Sequence, residues 1–131
     1  STGIIDNFTA ATHITKISNI NKRIEIINYY ELANINGYII INTTPVGMYP
    51  NVDKSVVDNN IIKNFEVAVD LVYNPTRTKF LQIAIEEGKI AIGGLHMLVG
   101  QAVKSQAIFN DRDISEELIN YIYTEVAKDF N

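Results

Sequence analysis

The chain has 131 residues, the length of one ordinary domain, and it contains no cysteine. The absence of cysteine excludes disulfide frameworks, thiolate zinc sites and cysteine nucleophiles. Its 11 lysines and arginines are scattered among 15 aspartates and glutamates, for a net charge of -4, whereas nucleic-acid binders usually concentrate their basic residues on one face. No apolar run approaches the ~20 residues that cross a bilayer, so we expect a cytoplasmic globular domain without a nucleic-acid or membrane partner.

The hydrophobic pattern predicts strands that alternate with helices. In chain order these are strands at 12–17 and 23–27, a helical turn at 28–34, a strand at 38–41, a helix at 59–65, a strand at 66–73, a helix at 76–88, a strand at 89–94, and helices at 95–109 and 115–130. Threonines open the helix at 76–88 and Gly88 closes it, as a left-handed cap does.

The strands at 38–41 and 66–73 are apolar almost throughout, which is typical of strands covered on both faces. Such strands, alternating with helices, predict an α/β fold: a parallel sheet with helices on both faces. In sheets of this kind, ligands bind beyond the carboxyl ends of the strands. Polar or glycine residues occupy three predicted strand ends, at Asn42–Gly47, Tyr73–Asn74 and Gly93–Gly94.

The segment that follows Ile41 admits two interpretations. A simple turn explains it, because Pro45 fixes φ, Gly47 permits a positive φ and the threonines satisfy loose backbone groups. Alternatively, its hydroxyls and amides face a flat cofactor, with Met48 packed nearby. Tyr73 is likewise either a core residue or a ligand contact. We interpret Asp70, inside an apolar strand, as a structural carboxylate held by backbone amides or by a partner charge.

The helix after Gly94 has two distinct sides on a helical wheel. We predict that its core side consists of Leu95, Leu98, Val99, Ala102 and Phe109, with Ser105 and Gln106 in the same arc. The opposite side consists of Met97, Gln101, Lys104 and Ile108, a mixture that indicates a contact surface rather than a plain solvated face. Gly93–Gly94 allows a ligand or another backbone to approach, and Gly100 suggests close packing against a second element.

Metal binding and nucleophilic catalysis are not indicated. His13 and His96 have no carboxylate or second histidine at a ligand spacing. No nucleophile, base and orienting group occur as a set. We therefore predict no metal site.

Three stretches together resemble the C-terminal half of shikimate dehydrogenases: "INTTPVGMYP", "VAVDLVYNPTRTKFLQIAIEEG" and "GGLHMLVGQAV". The resemblance extends over Asn34–Ile108. It implies an oxidoreductase that reduces 3-dehydroshikimate to shikimate with NADPH in aromatic amino-acid (chorismate) biosynthesis. It also implies a Rossmann-like NADP-binding domain over residues 1–92, incomplete at its N-terminal end. Residues 93–131 would be C-terminal helices that pack on a substrate domain.

The resemblance assigns roles to eight residues. Cofactor contacts are implied for Asn42, Thr44, Pro45, Leu71, Gly94 and Met97, and substrate contacts for Tyr73 and Gln101. The lysine and aspartate that transfer the proton in the family, and the serines that bind the substrate carboxylate, lie in an N-terminal domain without counterpart in this sequence. The resemblance therefore implies no catalytic residue here, and we expect the chain alone to be inactive.

Several alternatives stay open. The stretch that grips the adenosine phosphate in the family corresponds only to Ser18–Asn21, with Lys22 or Arg23 as the basic residue that a 2′-phosphate needs, so NAD competes with NADP. A relative that also uses quinate and a non-catalytic nucleotide-binding module are the alternative functions. A homodimer is a further expectation.

Overall fold

The computed structural model describes residues 27–130, and the strand predicted at 12–17 and nearly all of that at 23–27 lie outside this range. Residues 27–36 and residues 37–130 fall in two compact units. The first contains helix α1 (Tyr29–Leu32), which begins with a capping box: Asn28 accepts a hydrogen bond from the Glu31 amide, and Glu31 accepts one from the Asn28 amide.

The second unit contains a three-stranded sheet and four helices among its described residues. In chain order these are β1 (Ile39–Asn42), α2 (Asn59–Ile62), β2 (Val67–Asp70), α3 (Lys79–Glu86), β3 (Ile90–Ile92), α4 (Gly94–Phe109) and α5 (Glu116–Ala127). The strands are parallel in the order β1-β2-β3, and α3 connects β2 to β3. The predicted parallel α/β architecture is confirmed.

Local signals set the ends of α3 as predicted. The Thr78 side chain accepts a hydrogen bond from the Leu81 amide and so caps the first turn. Gly88, two residues after the helix, has φ +70°, a conformation that glycine adopts without steric cost. The short loop then returns the chain to β3 beside β2.

The two faces of the sheet differ in burial. Helix α3 packs on β2 and β3, and Ile40 and Ala68 are buried. On the other face, Ile39 is 48% exposed and Ile92 is 46% exposed. The burial of β1 on both faces, predicted from its apolar run, is therefore wrong for the described residues. An apolar run shows that both faces avoid charge, but it does not show which face a neighbouring element covers.

Helices α4 and α5 pack against each other around Leu95, Val99, Val103 and Ile119. The predicted core side of α4 is correct for Leu95 and Val99 but wrong for Leu98, Ala102 and Phe109, which are exposed. The contact with α5 buries residues of α4 that are four positions apart. These residues form a line next to the predicted core side of the helix. The packing predicted for Gly100 is also wrong, because a Cβ there would have no atom within 4 Å. Among the described residues, no helix is both long enough and apolar enough to span a membrane.

Candidate functional site

The carboxyl ends of β1 and β2 meet at one edge of the sheet and are joined there to the start of α4. Asn42 pairs with Asp70 in the strand register, and the Leu71 amide donates to the Asn42 carbonyl at 3.0 Å. The Gly94 amide donates to the Val72 carbonyl at 3.3 Å. Two strand ends and the N-terminus of α4 thus share one edge, where the sequence predicts a ligand.

The segment after β1 forms a compact loop on this edge, which we call the Thr44 loop (residues 43–48). The Val46 amide donates to Thr44 Oγ1 at 3.3 Å, and the Met48 amide donates to the Pro45 carbonyl at 3.1 Å. Gly47 has φ +89°, so a residue with a side chain would be strained there. Thr44 is partly exposed and Pro45 is exposed, which leaves both accessible to a ligand.

Asn42 holds the Thr44 loop from inside, since its side chain is only 2% exposed. Its Oδ1 accepts from the Thr44 amide at 3.0 Å and from the Thr44 hydroxyl at 2.7 Å. Its Nδ2 donates to the Val46 carbonyl at 3.2 Å and to Asp70 Oδ1 at 3.0 Å. An amide side chain has two donors and two acceptor positions, so Asn42 keeps no polar group for direct hydrogen bonding to a cofactor.

Asp70 is fully buried at the end of β2 and is surrounded by donors. Its Oδ1 accepts from Asn42 and from the Val72 amide at 3.0 Å, and its Oδ2 accepts from the Thr78 hydroxyl at 2.5 Å. Burial raises the pKa of this carboxyl above its ordinary value of 3.8, although the hydrogen bonds from Thr78, Val72 and Asn42 each lower it. The structural role predicted for Asp70 is confirmed, with side-chain donors added to the expected backbone amide.

Gly94 lies directly against the backbone that follows β2. A Cβ at Gly94 would overlap the carbonyl oxygen of Leu71 and lie 3.0 Å from that of Val72. The sequence predicts that the glycine pair lets either a ligand or another backbone approach. The structure shows the approach of another backbone. Leu71, 37% exposed, and Met97, 42% exposed and one turn into α4, have accessible side chains.

The two predicted substrate residues are also accessible. Tyr73 is 41% exposed, and its ring contacts Phe130 edge to face with centroids 6.2 Å apart. Gln101 is exposed on α4, one turn beyond Met97. His96 lies elsewhere, with Nε2 3.2 Å from Asn120 Oδ1 and its ring beside Tyr123. Within residues 27–130 no cluster of histidine and acidic side chains could hold a metal ion.

Sequence reasoning missed the part that Thr78 plays at this edge. It identified the threonine only as the start of a helix, whereas the side chain is fully buried and bonded to Asp70. A signal exists in the sequence: a carboxylate inside an apolar strand needs donors, and the first hydroxyl before the next helix is well placed to be one.

Comparison with known proteins is consistent with this geometry. A curated shikimate dehydrogenase (NADP(+)) from Clostridium beijerinckii is 42% identical over 110 residues, which are 84% of this chain and 41% of that protein. Among solved structures, a chorismate mutase/shikimate 5-dehydrogenase fusion protein from Clostridium acetobutylicum has a TM-score of 0.82 and 35% identity over 98% of this chain and 53% of its own. Shikimate dehydrogenase 1 from Peptoclostridium difficile has a TM-score of 0.76 and 49% identity over 85% of this chain and 41% of its own.

No family model matches the chain. The parallel sheet and its helices form a Rossmann-like α/β fold, as in the solved structures to which the chain is similar. More specifically, the chain is homologous to the C-terminal part of shikimate dehydrogenases. It spans about two fifths of the length of the curated relative from Clostridium beijerinckii.

Proposed function

We propose that the chain supplies the nicotinamide side of the cofactor site, and part of the substrate site, of an NADPH-dependent shikimate dehydrogenase. The observation that carries this proposal is the meeting of the Thr44 loop, Leu71 and the start of α4 at one edge of the sheet. The relative from Clostridium beijerinckii, whose name includes NADP(+), supports it.

The residues at this edge fit a flat, partly apolar ring. Pro45, Leu71 and Met97 are exposed apolar residues, and Thr44 beside Pro45 is a partly exposed polar residue. Small-molecule sites combine such apolar surface with a few placed polar groups. When bound, the reduced nicotinamide would supply a hydride to the substrate carbonyl carbon, and a proton delivered to the carbonyl oxygen would complete the alcohol.

The described residues bind and orient in this proposal, and they do not deliver the proton. Asp70 is fully buried and both of its carboxylate oxygens accept hydrogen bonds, so it cannot reach a substrate at the surface. Tyr73 and Gln101 are exposed residues whose hydroxyl and amide groups suit the hydroxyls of shikimate. The proposal assigns proton transfer to the N-terminal part of the longer relatives, as the resemblance implies.

We further propose that the helices at 93–131 form a unit that meets this N-terminal part. Helix α4 has large apolar side chains that α5 leaves exposed: Ile108 is 81% exposed and Phe109 is 84% exposed. A side of α4 that carries Met97, Gln101, Lys104 and Ile108 can contact both a substrate and a second domain. Preference for NADP over NAD depends on residues 18–23, which lie outside the described range.

A chimera tests the proposal directly. The chain replaces the matching C-terminal part of the Clostridium beijerinckii relative, and oxidation of NADPH is followed with 3-dehydroshikimate as substrate. We expect turnover with NADPH. The oxidised product of quinate is tested as a second substrate, to distinguish a relative that also uses quinate. A folded chimera that binds NADPH without turnover would favour the non-catalytic nucleotide-binding module, and one that does not bind NADPH would contradict both functions.

Replacement of Gln101 separates substrate binding from cofactor binding. In the chimera, Gln101→Ala removes one hydrogen bond to the substrate, so we expect KM for the substrate to rise roughly five- to tenfold while KM for NADPH changes little. Gln106→Ala, the same change about 140° around the helix, is the control and should leave both constants unchanged. An unchanged substrate KM in Gln101→Ala would contradict the assignment.

A further inference from the structure

Four polar side chains form one continuous hydrogen-bonded chain across the strand edge. Thr78 donates to Asp70 Oδ2, Asp70 Oδ1 accepts from Asn42, and Asn42 Oδ1 accepts from both the amide and the hydroxyl of Thr44. The chain begins at the N-terminus of α3, crosses the ends of β2 and β1, and finishes in the Thr44 loop. We call it the Thr78–Thr44 chain.

The buried side chains inside the Thr78–Thr44 chain have no alternative hydrogen-bond partners. Asn42 is 2% exposed, and Asp70 and Thr78 are fully buried. Among the described residues, no buried side-chain nitrogen or oxygen lacks a hydrogen-bond partner. A buried network with every group paired is rigid, because the loss of one bond leaves another group unsatisfied in a medium of low dielectric constant.

In the Thr78–Thr44 chain, each hydrogen bond fixes the orientation of the next side chain. The orientation of the Asn42 amide is fixed because its Nδ2 must face the carboxylate of Asp70 and the Val46 carbonyl, both of which accept. Oδ1 then has to face Thr44, and it accepts hydrogen bonds from the Thr44 amide and hydroxyl. Asp70 is held in turn by Thr78 and by the Val72 amide. The conformation of an accessible loop therefore depends on a buried hydroxyl in another element.

We infer that Thr78 and Asp70 are positioning residues for the cofactor, acting through Asn42 to hold the Thr44 loop in its binding conformation. The inference rests on the proposed function for the identity of the ligand, but not for the mechanical link between Thr78 and Thr44. Neither residue contacts a ligand in this inference, and their effect is expressed through the Thr44 and Val46 amides.

The test compares Thr78→Val with Thr78→Ser in the 131-residue chain. Valine keeps the volume and removes the hydroxyl, whereas serine keeps the hydroxyl. The first readout is hydrogen exchange at the Thr44 and Val46 amides, and the second is the Kd for NADPH from fluorescence titration. In Thr78→Val we expect exchange at both amides to accelerate about tenfold and Kd to rise about tenfold, the effect of one lost hydrogen bond. Thr78→Ser should restore both values to within about twofold of the original.

Ser115→Ala is the matched control for the lost helix cap. Ser115 caps α5 through the Leu118 amide as Thr78 caps α3 through the Leu81 amide. Its loss should lower the thermal midpoint without changing exchange at Thr44 or the Kd. The inference is overturned if Thr78→Val accelerates exchange at Thr44 no more than Ser115→Ala does, or if serine fails to restore it.

Two further outcomes are also decisive. If Thr78→Val does not fold, Asp70→Asn replaces it: the new amide keeps the size but loses the charge-assisted bond to Thr78. Exchange at Thr44 should then accelerate about threefold, and unchanged exchange overturns the inference. If the unmodified chain and the chimera both fail to bind NADPH, the proposed function fails, and the exchange measurements alone decide the positioning roles.

Discussion

Asp70 places a carboxyl group at the end of a strand with no access to solvent. Removal from water disfavours the charged form and raises its pKa, while three donors oppose that rise without cancelling it. The donors are a backbone amide, a side-chain amide and a hydroxyl, none of which carries a charge. The residue therefore orders the surrounding loops at a cost in stability that depends on pH.

The pH dependence of this cost can be measured with Asp70→Asn, which removes the titration. A carboxyl whose pKa is raised by folding contributes stability that is fully present below its unfolded pKa, near 3.8, and is lost as pH rises through the folded pKa. The unfolding free energy of the original chain minus that of Asp70→Asn should therefore fall as pH increases from below 3.8 and then level off. Urea unfolding at a series of pH values gives this difference.

Asp53→Asn is the control, because Asp53 is exposed and the change removes the same formal charge. A difference for Asp70→Asn that stays flat with pH would show that the donors balance burial, and one that increases with pH would show that they outweigh it.

The sequence predicts elements well where their limits depend on local chemistry. Thr78 and Gly88 mark the limits of α3 because a hydroxyl cap and a positive φ are properties of single positions. The face that α4 buries depends instead on where α5 packs. Leu98 and Val103 are both apolar, and only the contact with α5 distinguishes the exposed residue from the buried one.

Two glycines in α4 illustrate the same distinction and give opposite predictions. Gly94→Ala places a Cβ on the carbonyl of Leu71, so we expect the unfolding free energy to fall by about 1–3 kcal/mol, the usual effect of overpacking. Gly100→Ala meets no atom within 4 Å inside a 16-residue helix. It should raise the unfolding free energy by about 0.5–1 kcal/mol, because alanine loses less backbone entropy.

Urea unfolding of the two variants measures both effects, and each variant is the control for the other. A rise in the unfolding free energy of both variants would mean that helix propensity, rather than the contact with the end of β2, determines the effect at Gly94.

At the scale of the whole molecule, the sequence predicts the location of the candidate site but not the role of each residue. The location follows from topology, because the carboxyl ends of neighbouring parallel strands share one edge. The cofactor and substrate roles proposed for Leu71, Met97 and Gln101 derive from the resemblance alone, since nothing in an exposed leucine, methionine or glutamine specifies a ligand. The link from Thr78 to Thr44 needs the structure, because its members are separated by up to 34 positions in the sequence.

In the proposed function this chain binds cofactor and substrate, and the N-terminal part of the longer relatives transfers the proton. This assignment leads to a final prediction. The 131-residue chain alone should not oxidise NADPH in the presence of 3-dehydroshikimate. The reason is that the proposal assigns proton transfer to the N-terminal part of the longer relatives, while Asp70, the buried acid of the described part, is occupied by three hydrogen bonds. The loss of NADPH absorbance should equal that of a protein-free sample, while the chimera turns over under the same conditions. Turnover by the chain alone within the usual range for enzymes, about 1–10³ s⁻¹, would mean that a proton donor lies within these residues and that the proposed division is wrong.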